Sequence, residues 1–275
     1  MDHRSVSCLL VVFSFSVFGT ASSARTWYVA ADGSGDAPTI AAAIDSTLSG
    51  DVIEVGPGIH YVAKFDGGVV MKPHTRLVSE LGPTLTFLRP GASYPPGQPT
   101  LVSARDGCVI LGFNMEGGSV FAVGTSGDGA EVSNNIIRST GDGIFVGGTG
   151  TIHHNLCYGG NSSIALAVFS EEVQIFNNIL PNGIFSSISP CPPLVWAFCN
   201  LINGLQSCVD GYGNFSADPQ FCGVGNYYLQ NDSPCAPGNH PDGFDCGVIG
   251  PLPVGCGPVS VQTKTWGAVK ALYRN

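Results

Sequence analysis

The sequence predicts an all-β chain built as a parallel β-helix, with an N-terminal capping helix and a disulfide-rich C-terminal segment. Three observations lead to this prediction. An asparagine followed by an apolar residue recurs at nearly constant spacing, and glycine-rich turns separate short β-rich runs. Charged residues make up only 11% of the chain, against roughly 25% in an average domain. A regular, weakly charged chain favours a solenoid or a barrel over an α/β enzyme.

The asparagine repeat indicates the length of one rung, meaning one full turn of the β-helix. The asparagines stand 21, 20, 23 and 22 residues apart, at Asn114, Asn135, Asn155, Asn178 and Asn200. A period of about 22 residues matches three short strands and three turns, with rungs stacked at about 4.8 Å. Stacked asparagines bond to their own copies and to the backbone, so we expect a single column. The alternative is that these are ordinary turn asparagines of a β-sandwich.

The first residues have the pattern of a secretory signal peptide. Arg4 precedes an apolar run at 8–18, and small residues follow as far as Ala24. We expect cleavage after Ala24 or Ala21. The apolar run is too short to cross a bilayer, and no later stretch reaches the length of a membrane helix. The sequence therefore predicts a secreted or cell-surface protein without a membrane span.

The chain divides into five predicted segments. They are the signal peptide 1–24, a strand-helix-strand cap 25–61, β-helix rungs 62–215, a Cys-rich closing segment 216–256 and a C-terminal tail 257–275. The cap helix is expected over 38–48 with Asp36 as its N-cap. Ile40, Ile44 and Leu48 fall at helical spacing and predict one apolar stripe. Such a helix would shield the open first rung of a solenoid.

Two stretches carry a resemblance to a known family. One is the opening "WYVAADGSGDAPTIAAAIDSTLSGDVIEVGPGIHY" at 27–61, and the other is the closing segment at 217–256, which begins "ADPQFC". Together with the asparagine rungs, they resemble secreted bacterial right-handed parallel β-helix proteins of the pectin-lyase-like superfamily. The resemblance implies a right-handed solenoid and export. It does not select a chemistry, because such proteins include polysaccharide lyases, glycosidases and adhesins.

Charge narrows the range of partners. A net charge of −9 argues against nucleic acid and anionic membranes. The leading hypothesis is an exported β-helix protein that binds extracellular polysaccharide and, as an extension, processes it. One alternative is an active polysaccharide lyase or glycoside hydrolase with its site in the basic first half. Another is a non-catalytic structural protein of the cell surface, acting in adhesion.

No complete catalytic motif is present in the sequence. β-Elimination from a uronate needs a base and a cation, and no Lys or Arg lies between Arg138 and Lys264. A lyase centre would therefore combine Arg138 or an earlier basic residue with Ca²⁺ held by Asp106 and Asp128. These two aspartates are one rung apart, and Ca²⁺ is the one cofactor that the sequence suggests. The alternative is that both aspartates belong to Asp-Gly turns.

Glu131 and His153 form the best remaining acid–base pair. Counted from the asparagines of their rungs, both side chains are expected to point outward on neighbouring rungs. His154 follows directly on the strand and therefore faces the other way, so the two histidines are poorly placed to share a metal. We expect His154 to join a column with Asn134 and Asn177.

Phe176 and Phe198 are candidate ligand-binding residues. They occupy the same outward column on neighbouring rungs, and Trp196 lies one outward position away. Exposed aromatic ladders on flat protein faces bind sugar rings. The alternative is that the C-terminal segment folds back and covers these rings.

The cysteines predict crosslinks near the C-terminus. Seven of the ten lie between residues 191 and 256, as suits an exported chain whose last segment has little core. Two disulfides are expected there: Cys235–Cys246 and Cys222–Cys256. Cys108 and Cys157 fall in different columns, so we expect them to stay unpaired.

Overall fold

The computed structural model describes residues 23–62, 68–91, 100–167, 172–186, 195–204 and 211–256. Over these residues the chain is an all-β parallel solenoid of about seven rungs with one helix, which confirms the predicted fold class. Residues 1–22 of the predicted leader and the predicted tail at 257–275 lie outside this part. No helix within the described ranges is long and apolar enough to cross a membrane.

The solenoid has three faces, each a stack of parallel strands. Face one contains β4 (Val69–Val70), β7 (Val102–Ala104), the first halves of β10 (Phe121–Ser133) and β12 (Asp142–His153), β14 (Ile164–Leu166) and β17 (Ile184–Ser186). Face two contains β1 (Thr26–Val29), β2 (Val52–Val55), β5 (Arg76–Ser79), β8 (Val109–Leu111), the second halves of β10 and β12, β15 (Val173–Phe176) and β18 (Val195–Phe198). Face three contains β3 (Gly58–Val62), β6 (Thr86–Pro90), β9 (Asn114–Glu116), β11 (Ile136–Arg138), β13 (Leu156–Tyr158), β16 (Ile179–Leu180) and β19 (Leu201–Ile202).

Alternate residues of each strand point inward and fill the core. On face two, Val132, Ile152, Ile175 and Ala197 form one inward column, and none is more than 1% exposed. Branched side chains pack well against their own copies on neighbouring strands. Burying each large one contributes about 1.5–3 kcal/mol. The recurring apolar position in the sequence is therefore the core of the solenoid.

The cap helix is shorter than predicted and has a different N-cap. Helix α1 (Ile40–Ser46) begins after Thr39, whose side-chain oxygen accepts an amide N–H from the first turn. Asp36 instead accepts the amide of Tyr28 at 2.9 Å, within the preceding loop. Leu48 lies beyond the helix and is 61% exposed, so the apolar stripe ends one turn earlier than expected.

The asparagine column is confirmed for four of its five predicted members: Asn135, Asn155, Asn178 and Asn200. In each neighbouring pair, Oδ1 of the later asparagine accepts both the backbone N–H and the Nδ2–H of the earlier one, at 2.9–3.1 Å. All four side chains are completely buried. Burying an amide is costly unless its hydrogen bonds are made, and here each copy supplies them to the next.

Asn114 does not belong to the column, and Asn214 does. Asn114 lies one position past the ladder, and Phe113 takes the ladder position, with its amide donating to Oδ1 of Asn135 at 2.9 Å. The column ends at Asn214, whose Oδ1 accepts Nδ2–H of the preceding ladder asparagine at 2.9 Å. Asn214 follows that residue by 14 positions. The last loop is therefore shorter than the asparagine repeat, so the repeat did not predict that Asn214 belongs to the column.

The residue before each ladder position has a positive φ. The column comprises Gly112 (84°), Asn134 (54°), His154 (52°), Asn177 (53°), Cys199 (56°) and Gly213 (65°). Asparagine and glycine tolerate this left-handed backbone better than other residues. The two asparagines of each pair thus have separate roles: the first adopts the left-handed turn, and the second forms the hydrogen-bonded ladder. His154 shares its column with Asn134 and Asn177, as predicted.

The closing segment folds back across face three. It contains a hairpin of β20 (Phe221–Gly223) and β21 (Asn226–Leu229). Its buried side chains cover an outward apolar column of the solenoid: Ile136, Leu156, Ile179 and Leu201. Gly250 has a φ of 104°, and a Cβ there would lie 2.7 Å from Cδ1 of Ile179. The segment therefore lies directly against an apolar surface that would otherwise face water.

One of the two predicted disulfides is confirmed and the other is wrong. The described residues hold two disulfides: Cys199–Cys246 and Cys222–Cys256. Cys235 is a buried free thiol, and Cys246 bonds instead to Cys199. Cys199 stands in the left-handed turn column, which the closing segment crosses, and spacing along the sequence does not show that crossing. Cys108 and Cys157 are free and buried, as expected.

Candidate functional site

A continuous stack of aromatic rings runs along the outside of face two. The Phe176 and Phe198 rings are 5.0 Å apart and inclined by 4°, which confirms their common column. His153 extends the stack at one end, 4.8 Å from Phe176. Tyr212 extends it at the other end, 5.9 Å from Phe198. The prediction from the sequence missed Tyr212, because it belongs to the short last loop.

The stacking geometry determines which aromatic rings can present a flat face to a ligand. Phe176 and Phe198 lie face to face within the ladder, so they present mainly their edges to solvent. Tyr212 is 62% exposed, Trp196 51% and Phe244 40%. Sugar rings pack on the flat faces of aromatic side chains. The exposed rings at the end of the ladder are therefore better suited to contact a sugar than the two phenylalanines that the sequence suggested.

A groove of about 470 Å³ lies where the ladder meets the closing segment. Four rings line it, together with Asn177 and Asp245: Phe176, Phe198, Tyr212 and Phe244. The Cys199–Cys246 disulfide also borders it, and holds the part of the closing segment that carries Phe244 and Asp245 beside the solenoid. We call this the ring groove. It combines apolar faces with a few polar groups, as ligand sites do.

A chain of hydrogen bonds runs from Glu131 to the closing segment. The Asn177 amide nitrogen donates to the carbonyl of Cys246 at 3.0 Å and lies 3.2 Å from Nε2 of His154. An amide nitrogen only donates, so Nε2 of His154 accepts and its Nδ1 carries the proton. That Nδ1 lies 2.9 Å from Nδ1 of His153, whose Nε2 is 3.3 Å from Oε1 of Glu131. Each N–H group in this series of hydrogen bonds thus has an acceptor. The expectation that the two histidines face opposite ways is therefore wrong, because β12 ends at His153 and His154 stands in a left-handed turn.

The charges along this chain follow from its contacts. The hydrogen bond from His153 and that from the Ser133 hydroxyl hold the pKa of Glu131 below its usual range, so it is a carboxylate at neutral pH. Burial, and next the charge of His153, lower the pKa of His154 to about 4. The predicted pair Glu131 and His153 is therefore brought together. Both ring nitrogens of His153 are used internally, which leaves none to exchange a proton with a substrate.

Asp106 and Asp128 stack at the corner between faces one and two. Oδ1 of Asp106 accepts the backbone N–H of Asp128 at 2.9 Å, and Thr149 donates its hydroxyl to Asp128 at 3.4 Å. A Cβ at Gly127 would collide with the Asp106 carboxylate. This geometry is that of Asp-Gly turns. Within the described ranges, no group of three His, Cys, Asp or Glu side chains is placed to hold a metal.

Arg138 lies at the end of β11 on face three, away from that corner. Its guanidinium pairs with Glu116, which also pairs with Arg89 at 2.8 Å. A second nitrogen of Arg138 donates to the hydroxyl of Tyr227 in the closing segment at 3.4 Å. The structure thus does not bring Arg138 together with Asp106 and Asp128. Its guanidinium connects face three to the closing segment.

Comparisons of the chain with protein-family models, with curated proteins and with solved structures found no match in any of the three. The class of the protein therefore follows from its fold and its candidate site. It is a parallel β-solenoid with a ring groove beside a closing segment that a disulfide attaches to it.

Proposed function

We propose that the chain is an exported protein of the pectin-lyase-like superfamily, of bacterial origin, that binds extracellular polysaccharide in the ring groove. The leader-like first residues and the resemblance of both ends to that superfamily support export and membership. Two disulfides among the described residues support an oxidising compartment.

The observation that carries the binding function is the set of exposed rings around the groove. Tyr212 and Phe244 line the groove and are 62% and 40% exposed, although burying them would be favourable. Trp196 is 51% exposed on the strand of Phe198, outside the lining. The amide of Asn177 and the carboxylate of Asp245 supply polar partners at the same place. Flat rings with a few hydrogen-bonding groups are the usual means of holding a pyranose.

Binding to a panel of neutral, acidic and amino-bearing polysaccharides tests the proposal. We expect Tyr212→Ala to weaken binding by about tenfold, since one aromatic contact contributes about 1 kcal/mol or more. The matched control is Tyr61→Ala on face three, because both tyrosines are 62% exposed. If the two variants bind alike, the ring groove is not the binding site.

We propose that the ring groove binds polysaccharide without cleaving it. The hydrogen bonds of His153 use both its ring nitrogens, and Glu131 is one carboxylate where glycosidases need two. We therefore expect no new reducing ends and no unsaturated products from any polysaccharide in the panel. Release of either product, lost in Glu131→Gln, would favour the lyase or hydrolase alternative.

A further inference from the structure

The charge around the ring groove indicates which class of saccharide the groove would bind. This inference rests on the proposed function, in which the groove binds saccharide. Among the described residues that line it, Asp245 is the charged one. The sequence has no Lys or Arg from 139 to 263, whereas it has eight Asp and Glu over the same range. The series of hydrogen bonds that begins at the lining residue Asn177 ends two rungs away in the ionised Glu131. Among the described residues that line it, the groove thus offers a carboxylate and no cation to a ligand.

Aromatic rings and a carboxylate together attract ammonium groups. The faces of the lining rings Tyr212 and Phe244 carry negative electrostatic potential, and a cation within about 6 Å of such a ring is attracted. Asp245 adds an opposite charge at the same groove. A uronate would instead place its carboxylate beside Asp245 without a compensating cation, and like charges at an interface are costly.

We propose that the ring groove takes a saccharide with free amino groups, such as a β-1,4-linked glucosamine chain, in preference to a neutral or uronate chain. The ammonium would lie between the exposed rings and Asp245. The sugar faces would pack on Tyr212 and Phe244. Selectivity then comes from the charge, and the ring contacts are shared with neutral sugars.

Titration calorimetry with two matched probes tests this preference. The probes are a short glucosamine oligomer and its fully N-acetylated counterpart of equal length, both at slightly acidic pH. We expect the amino form to bind about tenfold more tightly, the scale of one cation–π contact with a nearby carboxylate. Asp245→Asn should reduce that ratio to about threefold or less. Asp242→Asn, at an exposed acid that does not line the groove, should leave the ratio unchanged.

The outcomes separate this inference from the proposed function. Equal binding of the two probes, with no effect of Asp245→Asn, would overturn the preference while leaving saccharide binding in place. Failure of both probes and of every polysaccharide in the panel would remove the proposed function and the inference with it. Equally tight binding of oligolysine that survives Tyr212→Ala would show attraction of any cation to an acidic protein, and would also overturn the inference.

Discussion

At the scale of single residues, the left-handed position before each ladder asparagine explains why the rings of His153 and His154 are in contact. His154 occupies a turn position that asparagine fills in the neighbouring rungs, and so its ring meets Asn177 on one side and His153 on the other. Protonating His154 would put a proton on Nε2, which already accepts a hydrogen bond from Asn177. The contact chain between Glu131 and the carbonyl of Cys246 therefore requires a neutral His154.

This requirement predicts a pH-dependent stability. The pKa of His154 is lowered from 6.5 to about 4 in the folded chain, so the unfolded chain binds more protons between these values. The free energy of unfolding therefore has its full value above about pH 6.5 and falls as the pH drops towards 4. We expect a fall of about 1–2 kcal/mol, after allowing for the partial exposure of the ring. Thermal unfolding followed across this range measures the fall.

The designed variant for this test is His154→Asn. Asparagine fits the positive φ and occurs at the same place in the neighbouring rungs, so we expect a smaller fall from pH 6.5 to 4 with little loss at pH 8. The control is His74→Asn, at an exposed residue with a φ of 60°, which should keep the full fall. A fall of the same size in His154→Asn would contradict the assigned role.

At the scale of elements, the repeat predicted the rungs because stacking repeats the same position every turn. It failed where the chain departs from the period. After β8, Gly112 takes the left-handed turn and Phe113 the ladder position, so Asn114 lies one place further along. The loop before Asn214 is short. Tyr212 was missed because it belongs to that short loop. The bond of Cys199 was missed for a related reason: its partner Cys246 comes from a segment that returns from far along the sequence.

The crosslink between elements gives a second prediction. Cys199→Asn with Cys246→Ser removes the disulfide while keeping a residue suited to the left-handed turn. We expect a loss of about 2–4 kcal/mol, together with loss of saccharide binding, because Phe244 and Asp245 are no longer held beside the ladder. Thermal unfolding and binding at a temperature below the transition measure the two effects.

The matched control removes the other disulfide. Cys222→Ser with Cys256→Ser opens a crosslink that lies within the closing segment and does not line the groove. We expect a comparable loss of stability with binding retained. Equal loss of binding in the two double variants would mean that overall stability, and not the position of the segment, controls the groove.

At the scale of the whole molecule, faces two and three have different surroundings. Face three is covered along its second half by the closing segment, and its Arg89–Glu116–Arg138 cluster pairs charges among its own residues. Face two keeps its rings in a ladder that ends in exposed aromatics beside the same segment. The segment thus both closes the solenoid and forms one wall of the ring groove.

The position of a bound sugar, in a crystal structure of the chain with a short oligosaccharide, is the most direct test of the ring groove. We expect a pyranose ring within about 4 Å of the Tyr212 or Phe244 ring, with a polar group of the sugar near Asp245. A sugar bound on face three beside Arg89 and Arg138, with the ring groove empty, would contradict this expectation.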